Sequence, residues 1–151
     1  MTAPTPLDTA WQAALAAEHQ AVFGYSLLGP RLNAGDRPRA VACSDAHEAL
    51  RDATQAAIAR TGLVPVPPEA DYPALYPVAD ATAARRLAVR LEDDCASAWR
   101  YLYLRAASTN AARARSQRAV AQQGLDASAV RAAQWRQLIS PTQATTPFPG
   151  A

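Results

Sequence analysis

The chain has 151 residues, of which 38 are Ala, 15 Arg and 12 Pro, with no Lys, 6 Gly and 7% aromatics. Half of the residues are apolar and the length is enough to bury a core, so disorder, fibrous or collagen-like architecture and a disulfide scaffold are excluded. Net charge is only +2 but unevenly placed: residues 1–99 carry eight Arg against twelve acids, and residues 100–151 carry seven Arg against Asp126 alone. The use of Arg to the exclusion of Lys, with Ala and Pro in excess, reads as the codon bias of a GC-rich genome.

No apolar run reaches the ~18 to 20 residues of a membrane span. Met1 to Thr9 lack the basic start and apolar run of a secretory signal, so the cytoplasm is the expected compartment and no membrane partner is expected. Cys43 and Cys95 are too few for a disulfide framework and read as small core residues.

The first helix opens at Thr5, Pro6 and Asp8, which supply an N-cap, a proline at the first helical position and an acid three residues after the cap. Trp11, Leu15, Glu18, Val22, Tyr25 and Leu28 then follow at spacings of three or four and make one stripe. Gly29-Pro30 ends or kinks it, because Pro30 has no N–H and its ring collides with the carbonyl of Ser26. The second helix starts at Asp36 with Pro38 in its first turn, carries Cys43, His47, Leu50, Thr54 and Ile58 as its stripe, and stops at Gly62.

Residues 63–79 hold Pro65, Pro67, Pro68, Pro73 and Pro77 and so form an extended connection. At about 3.1 Å per residue it reaches roughly 50 Å, more than the length of a 24-residue helix, about 36 Å. The connection can therefore cross the whole bundle. The third helix starts at Asp80, carries Leu87, Leu91, Glu92, Cys95, Trp99 and Leu102, and frays near Ser108 to Asn110. A last helical region covers about 111–139, interrupted or kinked at Gly124, with Asp126 as a second cap and Val130, Trp135 and Leu138 as core positions. No strand pattern or hairpin turn is present. The expectation is an all-α four-helix bundle with one long crossover, a single domain over 1–151 with its core in about 6–139 and an irregular tail from 140.

The informative residues are those that break the apolar stripes, because a buried carboxylate or imidazole needs a partner. Glu18 stands two turns before Tyr25 on one face, His47 lies between Cys43 and Leu50, and Glu92 lies beside Leu91. If the Pro-rich connection spans the bundle, the second and third helices run parallel. His47, nine residues after Pro38, and Glu92, eleven after Ala81, then share a height to within roughly one turn, and Glu18 also falls near the middle.

This arrangement resembles the ferritin-like superfamily. The segments 17–25 (AEHQAVFGY), 46–53 (AHEALRDA), 90–95 (RLEDDC), 132–136 (AAQWR) and 147–150 (PFPG) more closely resemble a ferritin-like domain family of unknown function from GC-rich actinobacteria. Active members of the superfamily hold two metals with one Glu on each of two helices and Glu-x-x-His on each of the other two. Position by position, the resemblance assigns Glu18, His47 and Glu92 as ligands. It finds Ser44 where the second helix should carry Glu, and neither Glu nor His anywhere in the last helical region. Three of six ligands are missing, so a full di-iron site is not expected.

Two readings of the three residues follow. They can hydrogen-bond one another, Tyr25 and a core Arg such as Arg51 as a satisfied polar cluster, or they can hold one Fe, Mn or Zn ion with Asp94 as a further oxygen ligand. The expected complement is thus no cofactor or one divalent ion. His19 points about 100° away from Glu18 and reads as an edge histidine rather than a ligand. Cys43 and Cys95 fall about 13 Å apart in height, too far for a disulfide.

Arg113, Arg115 and Arg118 form a third candidate, an anion or nucleic-acid contact, but their spacing scatters them around the helix and no aromatic is interleaved. Nucleic acid is therefore not the expected partner. The favoured role is a non-catalytic scaffold or interaction protein that pairs as a homodimer or with another protein. A single-metal oxidoreductase and an Arg-mediated anion binder are the alternatives.

Overall fold

The computed structural model describes residues 3–151, and among them there are four long helices and no strand: α1 (Pro6–Leu28), α2 (Arg37–Ala59), α3 (Ala81–Ala107) and α4 (Ala114–Gln137). None of the described helices is long and apolar enough to cross a membrane.

The local chemistry sets the helix ends. Thr5 Oγ1 accepts from the Asp8 N–H and the Asp8 carboxylate accepts from the Thr5 N–H, closing a capping box around Pro6. α1 stops at Leu28, and Gly29–Arg31 tighten into a 3-10 turn around Pro30. Asp36 precedes α2 but its side chain does not cap it; it turns instead to Arg85, with Nη2 at 2.6 Å. Gly62, at φ +84°, takes the left-handed turn that follows α2. Asp80 caps α3 by accepting from the Ala83 N–H at 2.8 Å.

The Asp36–Arg85 pair joins the starts of α2 and α3, so these two helices run parallel and the crossover between them spans the bundle. It climbs along α1. Gln12 Nε2 donates to Val64 O and Gln12 Oε1 accepts from Val66 N–H, both at 2.8 Å, and further up the Phe23 ring packs at 5.0 Å from Tyr72. His19, expected at an edge, is buried under this strap, with Nε2 3.1 Å from Val66 O.

α4 corrects the expectation in two respects. It runs as one helix through Gly124, with no interruption and no second start at Asp126, and Val130, expected in the core, faces solvent and is 56% exposed. The buried face consists of Ala114, Gln117, Ala121, Gly124, Ser128, Ala132 and Trp135, a stripe of helical spacing made almost wholly of small or polar residues. Gly124 is there for space: a Cβ would come within 2.6 Å of the Trp99 indole. The tail from 140 is irregular but docked, with a 3-10 turn at Pro141–Gln143, Ala144 buried and the Gly150 carbonyl accepting from Arg100.

α1 packs against α2 and α3, and α3 packs against α4, whereas the backbones of α2 and α4 scarcely approach each other. Two apolar clusters fill the bundle, one around Trp11, Leu15, Ile58, Trp99 and Leu102 and the other around Leu28, Leu32, Leu87, Leu91 and Trp135. Glu18, His47 and Glu92, all fully buried, lie between them.

Replacing Gly124 by Ala is expected to lower stability by about 1–3 kcal/mol, because the new Cβ would press on the Trp99 indole, which is fully buried and tied to Glu18. Gly29→Ala, with nothing within 4 Å and helical backbone, is expected to be neutral or stabilising by up to about 1 kcal/mol. Urea unfolding of the two variants checks both.

Candidate functional site

Helical spacing brings one carboxylate from α1 and one from α3 to either side of an imidazole from α2. His47 Nδ1 is 2.7 Å from Glu18 Oε2, and Nε2 is 3.1 Å from Glu92 Oε1. With a carboxylate on each ring nitrogen, both nitrogens must carry a proton to donate, so the favoured state is the imidazolium. Burial pulls the His47 pKa down, but the hydrogen bonds and charges of Glu18 and Glu92 outweigh it and hold the value at about 9.

The remaining carboxylate capacity is also used. Trp99 Nε1 donates to Glu18 Oε1 at 2.7 Å, and Tyr25 OH donates to Glu92 Oε1 at 2.6 Å while accepting from Trp135 Nε1 at 2.9 Å. Arg131 Nε lies 3.0 Å from both oxygens of Glu92, and Arg131 Nη2 reaches Ser128 Oγ at 3.3 Å. Two carboxylates, an imidazolium and a guanidinium sum to zero charge. Burial also pushes the Tyr25 phenol well above its usual range, reinforced by the neighbouring Glu92, so it stays protonated.

Of the residues expected at the site, Glu18, His47, Glu92 and Tyr25 meet. Arg51 does not join them; it pairs with Asp52 on the outside of α2 at 2.8 Å. Ser44 points to Glu48, and Asp94 is exposed and accepts from Gln20 Nε2 at 3.0 Å. Asp93, beside it, takes Arg136 on both oxygens at 2.6 Å. The helical period rotates Asp93 and Asp94 off the Glu92 face, and Arg51, though one turn beyond His47, is drawn to the outer edge of its stripe by Asp52.

Three members of the site are not legible as such from composition. Arg131 counts with the basic segment and Trp99 and Trp135 with the apolar core, although Ser128, Arg131 and Trp135 are spaced three and four apart, the period of one helix face. Arg113, Arg115 and Arg118 are not brought together. Arg113 pairs with Asp8, whereas Arg115 and Arg118 border a shallow depression at the turn between α3 and α4. With Arg131 and Arg136 also paired and Arg105 lying over the Tyr101 ring, most of the basic segment is already engaged.

Among the described residues, Glu18, His47 and Cys95 are the one group of donors whose ligand atoms lie close enough for a single divalent ion, within 4.8 Å of one another. These residues do not fit it. Both Glu18 oxygens and both His47 nitrogens are engaged by protein groups. Burial, and then the charges of Glu18 and Glu92, push the Cys95 thiol well above its usual range, and its Sγ–H donates to Ala17 O at 3.5 Å. Binding would require expelling a proton from His47 and adding two positive charges to a cluster that Arg131 already balances.

Residues 10–151 match the family model described as a domain of unknown function, DUF4439. The chain is similar to the crystal structure of a conserved hypothetical protein, rv2844, from Mycobacterium tuberculosis, with 28% identity, a TM-score of 0.81, and coverage of 91% of this chain and 99% of that one. No curated protein matches the chain.

His47→Ala strips Glu18 of the imidazolium that pairs with it and is expected to cost about 3–5 kcal/mol in chemical unfolding. The His47 pKa is raised on folding, so its contribution is fully present below pH 6.5 and is lost as pH rises through about 9. The wild type is therefore expected to lose about 3 kcal/mol over that window, and the His47→Ala variant to lack this loss.

Proposed function

The chain belongs to the DUF4439 family, and we propose that it is a non-catalytic scaffold of ferritin-like architecture, in which a cluster made by the protein itself stands where its di-metal relatives hold their ions. The observation that carries this reading is Arg131. Its guanidinium lies on both oxygens of the α3 carboxylate, Glu92, and supplies positive charge where a metal would.

The pattern of replacement supports it. Di-metal bundles carry Glu-x-x-His on two helices. Here α2 has Ser44-x-x-His47 and α4 has Ser128-x-x-Arg131, so each pair has lost its carboxylate and one His is an Arg. The single carboxylates of the other two helices, Glu18 and Glu92, remain and are neutralised by His47 and Arg131. The cluster then fixes the register of four helices, and the outer helix faces do the work of the protein by holding a partner, with a second copy of the chain the first to test. The compartment that suits this reading is the cytoplasm.

Elemental analysis of protein purified without chelator tests it, together with calorimetric titration of Fe(II), Mn(II) and Zn(II). The expected result is no stoichiometric metal and no saturable heat, with light scattering reporting whether the chain pairs. One ion per chain, lost in His47→Ala, would overturn the reading in favour of a single-metal protein. Arg131→Gln is expected to cost about 3–5 kcal/mol, because it strips Glu92 of its permanent cation.

A further inference from the structure

The looseness between α2 and α4 has a definite shape. Toward the Trp11 end of the bundle the gap widens into a cavity of about 460 Å³, within the roughly 300–1,000 Å³ usual for small-molecule sites. Its apolar walls are Trp11 on α1, Leu50 and Ala57 on α2, and Val120 on α4.

Its polar lining is unusual. The buried side-chain atoms without a hydrogen-bond partner among the described residues are Thr54 Oγ1, Arg113 Nε and both amide atoms of Gln117, and all three residues line this cavity. Thr54 is 3% and Gln117 4% exposed. A buried polar group without a partner opposes folding, and the central cluster of the same bundle leaves none. Their concentration around one cavity indicates a partner that is not part of the chain.

We propose that this cavity binds a small apolar molecule ending in a carboxylate. The atoms awaiting a partner include three donors, Arg113 Nε–H, Gln117 Nε2–H and Thr54 Oγ1–H, against one obligate acceptor, Gln117 Oε1, so the ligand's polar end is rich in acceptors. It is also anionic. Asp8 offsets Arg113 alone, and Arg60 adds a second guanidinium at the rim. The apolar walls take the body of the molecule, with the Trp11 ring as one face. None of the lining residues belongs to the central cluster, so the site stands independently of the scaffold reading.

The test is titration of the full chain with decanoate below its micellar concentration, with 4-phenylbutyrate, and with 1-decanol. It is followed by calorimetry and by the Trp11 indole N–H resonance. The expected result is saturable binding of at least one acid, with the alcohol weaker by about tenfold or more; whichever acid is preferred shows whether the body is linear or aromatic. Gln117→Leu should weaken the acid by about tenfold or more while unfolding at the same or higher denaturant concentration, a gain that a purely structural Gln117 would not give. Ala57→Phe should block binding by filling the cavity. If Gln117→Leu does not fold, Gln117→Glu replaces it, since a carboxylate there repels the ligand. No saturation by either acid, an alcohol that binds as tightly as the acids, or a Gln117 variant that keeps full affinity would overturn the proposal.

Discussion

The structure depends on two carboxylates buried in the middle of a small helical bundle. A charge withdrawn from water costs several kcal/mol unless it is paired and hydrogen-bonded, and Glu18 and Glu92 are both fully buried between two apolar clusters. Everything that touches them answers that constraint. His47 bridges the two, Arg131 covers Glu92 on both oxygens, and Trp99 and Tyr25 take remaining lone pairs. Each of the four helices contributes, so the cluster forms only when all four are in register.

The same residues connect the polar layer to the packing. The Trp99 indole donates to Glu18 with its nitrogen while its ring lies against Gly124, which ties the α1 carboxylate to the close approach of α3 and α4. Trp135 likewise donates to the Tyr25 hydroxyl, and Tyr25 stacks on the His47 ring with centroids 5.6 Å apart. Within this system α2 and α4 are linked through Glu92, which accepts from both His47 and Arg131. Their backbones scarcely approach, contacts such as Arg39 with Gln134 cross the edge, and the cavity opens along it.

Much of this was legible in the sequence, and the gaps have physical causes. Caps at Thr5 and Asp80, the proline stop after Leu28 and the crossover length follow from backbone chemistry that acts within a few residues. Glu18, His47 and Glu92 stood out because each interrupts an apolar stripe. Arg131 did not, because α4 buries small and polar residues and hydrophobicity there favours Val130, which faces solvent. A long charged side chain on a helix is ordinarily solvated, and only the position of Glu92 across the bundle turns Arg131 inward. Asp94 was attractive by proximity to Glu92, but two residues on is about 200° around the helix, whereas Arg51, about 40° from His47, is turned outward by its pairing with Asp52.

Under the scaffold reading proposed above, two central carboxylates need fixed positive charge from the protein itself, and the imidazolium of His47 together with the guanidinium of Arg131 supplies it. The charge state of His47 is therefore the point on which the account turns. Nitrogen-15 NMR of the His47 ring in metal-free protein measures it directly. Two protonated ring nitrogens are expected at neutral pH, persisting until the pH approaches about 9. A neutral ring with one unprotonated nitrogen at neutral pH would contradict it.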